Sequence, residues 1–344
     1  MPNELSPDSQ IVRTDVVVVG AGPVGLFAVF ECGMLGIKCH VVDALEALGG
    51  QCSALYPEKP IYDIPGYPRI DAATLVERLA EQAAPFHPAY HLNQRVERLS
   101  RRDGRWLVET SVGARLDAAA VIVAAGAGAF GPNRPPLPGI EQYEGRGVHY
   151  LVKRAEDFRG RQVVVAGGGD SAVDWALALA EIAARVSVVH RRAKFRAAPE
   201  SVRKLKALAE AGRLDLVVPY QLARLEGDGV RLAAVVVATL DGEEKRLPAD
   251  ALLPFFGLAA DLGPIAHWGL ALDKHHVTVD PATCATSAPG IFAIGDVAAY
   301  PAKLKLILTG FAEAAQAAHA IHPLVFPGAA LHFEYSTMKG VPGA

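Results

Sequence analysis

Apolar residues along the chain fall into short unbroken runs separated by stretches in which they recur at helical spacing. The run Asp15 to Val19 (DVVVV) is β-branched, of the kind buried on both faces of a parallel sheet, and Leu26 to Leu35 carries a helical apolar stripe. A glycine turn joins the two. KCHVVDA then supplies a second strand ending at Asp43, so residues 15–43 predict one βαβ unit. From Leu48 to Arg69 the chain is rich in Gly, Pro and Tyr and follows neither period, which predicts a long ordered loop. The spacing predicts a helix over 71–84, strands in RVERLS and RWLVET, and a buried strand in VIVAAGAG.

Pro132, Pro135, Pro136 and Pro138 mark a boundary near residue 135. Beyond them the first pattern repeats in QVVVAGGGDSAVDWALALAEIAARVSVVHRR: strand, glycine turn, a helix over 172–184 and a strand over 186–189. Strands in LDLVVP, AAVVVATL and ALLPFF carry this second unit to about residue 258. The remainder runs through GIFAIGDVAAYP and a helix over 310–321 to a tail, 331–344, too polar and glycine-rich for core. The expected fold class is α/β with two Rossmann-like dinucleotide-binding domains. One is discontinuous, 1–134 with 259–344, and the other spans 135–258.

A chain of 344 residues, 51% apolar and 21% charged, has material for two ordinary cores. The formal charge of -3 provides no global basic field for nucleic acid. No apolar run reaches the roughly 18 to 20 residues of a membrane span, and the N-terminus does not read as a signal peptide, so a cytoplasmic protein without a membrane partner is expected. Cys32, Cys39, Cys52 and Cys284 show no CxxC spacing, which argues against a disulfide framework, a zinc site or a vicinal dithiol. His275 and His276 lack acidic or cysteine companions, and no metal is expected.

Two glycine motifs carry the chemistry. In GAGPVG, Gly20 permits the turn, Gly22 lets the backbone approach a pyrophosphate and Gly25 lets helix pack on strand, with the helix N-terminus supplying amides. Asp43 ends the next strand, where a carboxylate accepts hydrogen bonds from a ribose diol. GGGDSA repeats the geometry with Gly167, Gly169 and Ala172, but the following strand ends in HRRAKFR. His190, Arg191, Arg192 and Arg196 therefore stand where the adenosine ribose would lie, and guanidinium forks there select a 2′-phosphate, hence NADP over NAD.

The order GAGPVG, GGQC, GGGDSA, HRRAKFRA and GIFAIGDVA resembles the thioredoxin-reductase-like flavoproteins with two dinucleotide domains. Thioredoxin reductases carry a CxxC before the second fingerprint; here the stretch is GVHYLVKRA, with Leu151 and Arg154 in place of the cysteines, so dithiol exchange is absent. The chain is thus similar to the ferredoxin-NADP reductases of this branch, which implies FAD in the first domain and NADPH in the second. The resemblance implies FAD contacts at Asp43, Gln51, Tyr56, the backbone at Val96, Phe130, Asp296 and Thr337. Tyr56 and Tyr335 would stack on the flavin faces, the tail would cross to the partner of a homodimer, and no catalytic residue beyond the flavin is required. Ferredoxin or flavodoxin would be the acceptor, docking at local basic groups such as Lys153, Arg154, Lys303 and Lys305. A general NADPH diaphorase, quinone or ferric reductase is the enzymatic alternative, and an FAD- and NADPH-binding redox sensor the alternative of another class.

Overall fold

The computed structural model describes residues 11–331 and Gly340, apart from the side chains at 129, 130, 132 and 258–260. The chain divides into two compact units, one formed by the segments up to Ala129 and from Ala260, the other by Phe130–Ala259.

In the first unit five parallel strands run in the order Ala89–His91, Cys39–Val42, Ile11–Val19, Arg115–Val123 and Ile291–Ala293. The strand Arg115–Val123 changes neighbours along its length. Residues 115–118 pair antiparallel with the strand Arg105–Thr110, and 121–123 pair parallel with Ile291–Ala293. Alternation sends Val16 and Val18 to one face, where they pack with Ala28, Val29 and Cys32 of the helix Pro23–Met34 and with Ala314, Ala317 and Ile321 of the helix Ile307–Val325. Val17 and Val19 face the other way, into a core with Val108, Val121 and Ile265. The helix Ala72–Ala83 buries Leu75, Val76 and Leu79, each contributing about 1.5–3 kcal/mol of transfer free energy, and turns Arg78 and Glu81 to solvent.

The loop expected over 48–69 is ordered because Cys52 and Ile64 bury with Leu26 and Leu75. It also contains a one-turn helix, Gln51–Ala54, and the strand Pro60–Ile61, which pairs with Ile70–Asp71.

The second unit has a parallel sheet ordered Asp215–Val217, Arg185–Val189, Gln162–Ala166 and Ala251–Pro254. A separate antiparallel sheet joins Gln221–Gly227, Leu232–Ala238 and Glu244–Pro248. The helix Asp170–Leu179 stops five residues before its apolar pattern does. The chain turns back there: the Ile182 carbonyl accepts from the Gly160 amide at 3.0 Å, and the Ala184 amide donates to the Arg161 carbonyl at 2.9 Å.

The chain passes between the units twice, on the strands Ala129–Pro132 and Leu258–Asp261, which hydrogen-bond to each other. Gly128, just before the first, has φ +77, and a Cβ there would overlap the Asp261 carbonyl. Only glycine fits.

Candidate functional site

The first glycine turn is built by close packing around one open position. A Cβ on Gly20 (φ +110) would overlap the Ala124 carbonyl, and one on Gly25 would overlap that of Gly20. At Gly22 a Cβ would meet no protein atom within 4 Å. That open space lies at the N-terminus of the helix Pro23–Met34, where backbone amides lack intrahelical acceptors and a phosphate fits. Other residues gather there. Gly50, with φ 56, would place a Cβ 3.3 Å from the Gly22 Cα, and the Gln51 side-chain nitrogen lies 3.6 Å from a Cβ position on Gly126. Gly50 belongs to the GGQC motif; Gly126 carries no isolated sequence signal, and its contact with Gln51 identifies it.

Asp43 is buried and doubly tied. Its Oδ2 accepts from the Ala21 amide at 2.6 Å and its Oδ1 from the Leu45 amide at 2.8 Å. Burial pushes its pKa above the usual carboxylate value, and the two amides oppose that shift. Each oxygen keeps a second lone pair, so the group retains capacity for a ribose diol.

Asp296 lies in the turn Gly295–Val297 with its side chain exposed and no hydrogen bond or ion pair to a described residue. Its charge reaches Tyr56 and Cys52, whose hydroxyl and thiol share a hydrogen bond. Burial is the main cause that raises Tyr56 and pushes the Cys52 thiol up to about 11. The Lys59 ammonium sits 5.8 Å from the centroid of the Tyr56 ring. Asp296, Tyr56, Cys52 and Gln51 therefore belong to one unit with the glycine turn. Val96 is buried at the start of the strand Val96–Arg102. Phe130 falls on the strand Ala129–Pro132, and its side chain is outside the described residues; so are Tyr335 and Thr337 altogether.

The second turn repeats the scheme. A Cβ on Gly167 would stand 2.7 Å from the Phe255 carbonyl and 2.9 Å from the Ala172 Cβ, while Gly169 is open. The His190 ring fills the space beside Gly168, and the Arg196 amide donates to the Gly168 carbonyl at 2.7 Å. Asp170 accepts from the Ala198 amide at 2.8 Å, and buried Phe195 packs on His190 with ring centroids 5.2 Å apart. The loop is thereby folded back over the turn. Arg191, Arg192 and Arg196 stay exposed, and their guanidinium groups bond to no described residue. His190 titrates lower than usual, from burial first and then from these three arginines, against a hydrogen bond with the Lys194 backbone.

Two glycine turns on two parallel sheets, one followed by a buried acid and one by free guanidinium groups, describe a dinucleotide oxidoreductase, and residues 14–321 match the pyridine nucleotide-disulphide oxidoreductase family. The chain belongs to that family. Among its relatives are proteins named ferredoxin–NADP reductase. That of Paramagnetospirillum magneticum is 68% identical over 331 residues, 96% of this chain and 98% of the relative. That of Granulibacter bethesdensis is 63% identical over 343 residues, 99% of this chain and 98% of the relative. Thioredoxin reductase from Lactococcus lactis has a similar structure, with TM-score 0.78 and 25% identity, covering 91% of this chain and 99% of that one. Thioredoxin reductase from T. acidophilum shares the fold at TM-score 0.79 and 24% identity, covering 90% and 98%.

Within a family named for disulphide chemistry, the thiols of this chain are placed for packing. All four cysteines are free and buried. A hydrogen bond with Cys32 and burial hold the Cys39 thiol well above its ordinary value, and burial pushes Cys284 up to about 12, so the Cys39 and Cys284 thiols stay protonated at neutral pH. Leu151 is half-buried, and Arg154 pairs with Asp157 at 2.9 Å. One expected docking group is overturned: Lys303 has a side chain 7% exposed and forms an ion pair with Glu313, so it is not a surface cation. Lys153 is exposed, and the exposed Lys305 ammonium lies 2.6 Å from His276 Nε2. Among the described residues no helix is long and apolar enough to cross a membrane.

Proposed function

We propose that the chain is an FAD-dependent ferredoxin–NADP reductase, drawing on NADPH and passing electrons to a ferredoxin or flavodoxin in the cytoplasm as a homodimer. The observation that carries the reading is the opposite chemistry at the two strand ends: a buried carboxylate after the first glycine turn and three unpaired guanidinium groups after the second. A carboxylate suits a ribose diol and repels a 2′-phosphate; guanidinium forks suit the phosphate. The names of the relatives supply the acceptor.

A bound FAD would supply the redox chemistry, hydride uptake from reduced nicotinamide and release of single electrons. The protein's task is placement. The Gly22 amide end takes the pyrophosphate, Asp43 the adenosine ribose, and Asp296 the polar chain that leads to the flavin ring. Tyr56 would stack on the flavin ring; Gln51, the backbone at Val96, and Phe130 would be further FAD contacts, and Tyr335 and Thr337 would come from the tail. In the second unit Gly167, Gly169 and Ala172 admit the NADPH pyrophosphate, while His190, Arg191, Arg192 and Arg196 hold the 2′-phosphate. Thiol exchange has no part, because every described thiol is buried.

Stopped-flow mixing tests the reading. The yellow protein should be bleached by NADPH and recover colour on mixing with reducible low-potential ferredoxin. Fast bleaching with no reoxidation by either carrier, but with turnover of quinones or ferric complexes, would replace the carrier-protein reductase by a diaphorase.

A further inference from the structure

Glu313 is 2% exposed and is the acidic residue of the helix Ile307–Val325. Its Oε2 accepts from the Gly295 amide at 2.7 Å; its Oε1 accepts from the Tyr300 hydroxyl at 2.6 Å and pairs with the buried Lys303 ammonium. Three donors from the segment 295–303 thus converge on one carboxylate of the following helix. Gly295 immediately precedes Asp296, whose own side chain is free of described partners.

The same turn and helix meet the first fingerprint. A Cβ position on Gly295 lies 3.5 Å from the Val24 side chain, and a Cβ on Gly310 would overlap Val24 Cγ2. Val24 is the second residue of the helix that opens at Gly22. Val24 therefore packs against both the Asp296 turn and the helix that carries Glu313. This contact sets how close the turn comes to the Gly22 end, and the Glu313 carboxylate keeps the turn from rotating about it.

We infer that Glu313, with Lys303 as its counter-charge, is a positioning residue that fixes Asp296 at a set span from the Gly22 helix end, so that one extended dinucleotide engages both. The inference rests on the proposed FAD site. A buried carboxylate without a partner is costly, and so is a buried amide without an acceptor; the Lys303 ammonium satisfies the first and Glu313 the second. Loss of the Gly295 bond leaves the Gly22 end intact and frees the Asp296 end.

The test is FAD titration of the protein stripped of flavin, with the visible circular dichroism of the bound flavin and thermal unfolding measured alongside. Glu313→Leu combined with Lys303→Met removes the carboxylate and the stranded cation together, and should raise the FAD dissociation constant about tenfold or more and change the flavin dichroism. Glu313→Gln combined with Lys303→Met keeps an oxygen for the Gly295 amide and should restore both readouts towards wild type. A leucine variant that melts earlier yet keeps wild-type FAD affinity and dichroism would reduce Glu313 to a packing role and overturn the inference. If that variant does not fold, Glu313→Gln alone decides. There the unpaired Lys303 ammonium competes for the amide oxygen, so FAD should bind more tightly once Lys303→Met is added; equal affinities overturn the inference. Wild-type protein that takes up no FAD would overturn the cofactor assignment itself, a result distinct from unaltered binding in the variants.

Discussion

Asp43 Oδ2 accepts a hydrogen bond from the Ala21 amide at 2.6 Å, which ties the end of the second strand to the glycine turn after the first. The carboxylate proposed to hold a ribose is therefore also a structural clamp on the glycine turn. Asp43→Ala leaves the Ala21 and Leu45 amides without that acceptor, at a cost of about 1–3 kcal/mol for the buried Ala21 donor and less for the part-buried Leu45 donor. Calorimetry of this variant should show a lower Tm, and desalting should strip its flavin faster than from the wild type. Undiminished flavin retention would separate Asp43 from the cofactor.

Arg191→Ala and Arg192→Ala should raise KM for NADPH roughly tenfold each, since a charge-assisted hydrogen bond contributes about 1.5–3 kcal/mol. KM for NADH should hardly move. Because neither guanidinium bonds to a described residue, the fold should tolerate both changes, and equal melting temperatures would check this. Parallel losses with both nucleotides would show that these arginines do not read the 2′-phosphate.

Replacing the four cysteines singly by alanine should leave NADPH-to-ferredoxin turnover close to wild type, at some expense in stability. Cys284, which is fully buried beside Glu313, is expected to be the most sensitive in Tm. A cysteine variant that keeps its flavin but cannot be reduced by NADPH would restore thiol chemistry to the mechanism.

His40 Nδ1 and His91 Nε2 lie 3.0 Å apart, and burial holds both rings below the usual histidine pKa, with His91 further lowering His40. A hydrogen bond between two imidazoles needs one of them neutral. The stability from this pair is accordingly whole above the unfolded histidine value of about 6.5 and is lost as pH falls through the lower folded values. Tm measured from pH 8 to pH 5 should fall more steeply for the wild type than for His40→Asn/His91→Asn. Superimposable pH profiles would deny the pair any such role.

Ferredoxin turnover at limiting carrier should slow as ionic strength rises from 10 to 150 mM, where the screening length falls from about 30 Å to about 8 Å. Lys153→Ala and Lys305→Ala should flatten that dependence, whereas the buried Lys303 is not part of it. A salt-independent rate with rapid flavin reduction would argue against steering of an acidic carrier.

Much of this arrangement can be read from the residues themselves. The β-branched run at Val16–Val19, the glycines at 20, 22 and 25 and the acid at 43 are local signals, each tied to a backbone requirement that sequence spacing preserves. Helix ends are less readable. The alanines up to 184 continue the apolar pattern beyond Leu179, and only the pairing of Ile182 and Ala184 with Gly160 and Arg161 decides where the helix stops. The helix Pro199–Glu210 buries only Leu205 fully, leaving little periodic signal amid its charges. In the sequence Lys303 reads as a docking cation because its partner is ten residues away on another element. A clue did exist: Glu313 is a single acid in the run GFAEAAQAAHA, where an unpaired charge would be out of place.

The two adjacent chain crossings at Ala129–Pro132 and Leu258–Asp261 bear on the order of events during synthesis. The segment Phe130–Ala259 is one continuous stretch, so it leaves the ribosome whole before its host unit is complete. The host's first strands must wait for Ile291–Ala293 to fill the sheet beside Arg115–Val123 and for the helix Ile307–Val325 to cover Val16 and Val18. At roughly 5–20 residues per second that interval lasts on the order of ten seconds or more, with an unfinished sheet in the nascent chain. Because the insert begins and ends on paired strands, its early folding brings Gly128 and Asp261 together and shortens the loop that the host must later close.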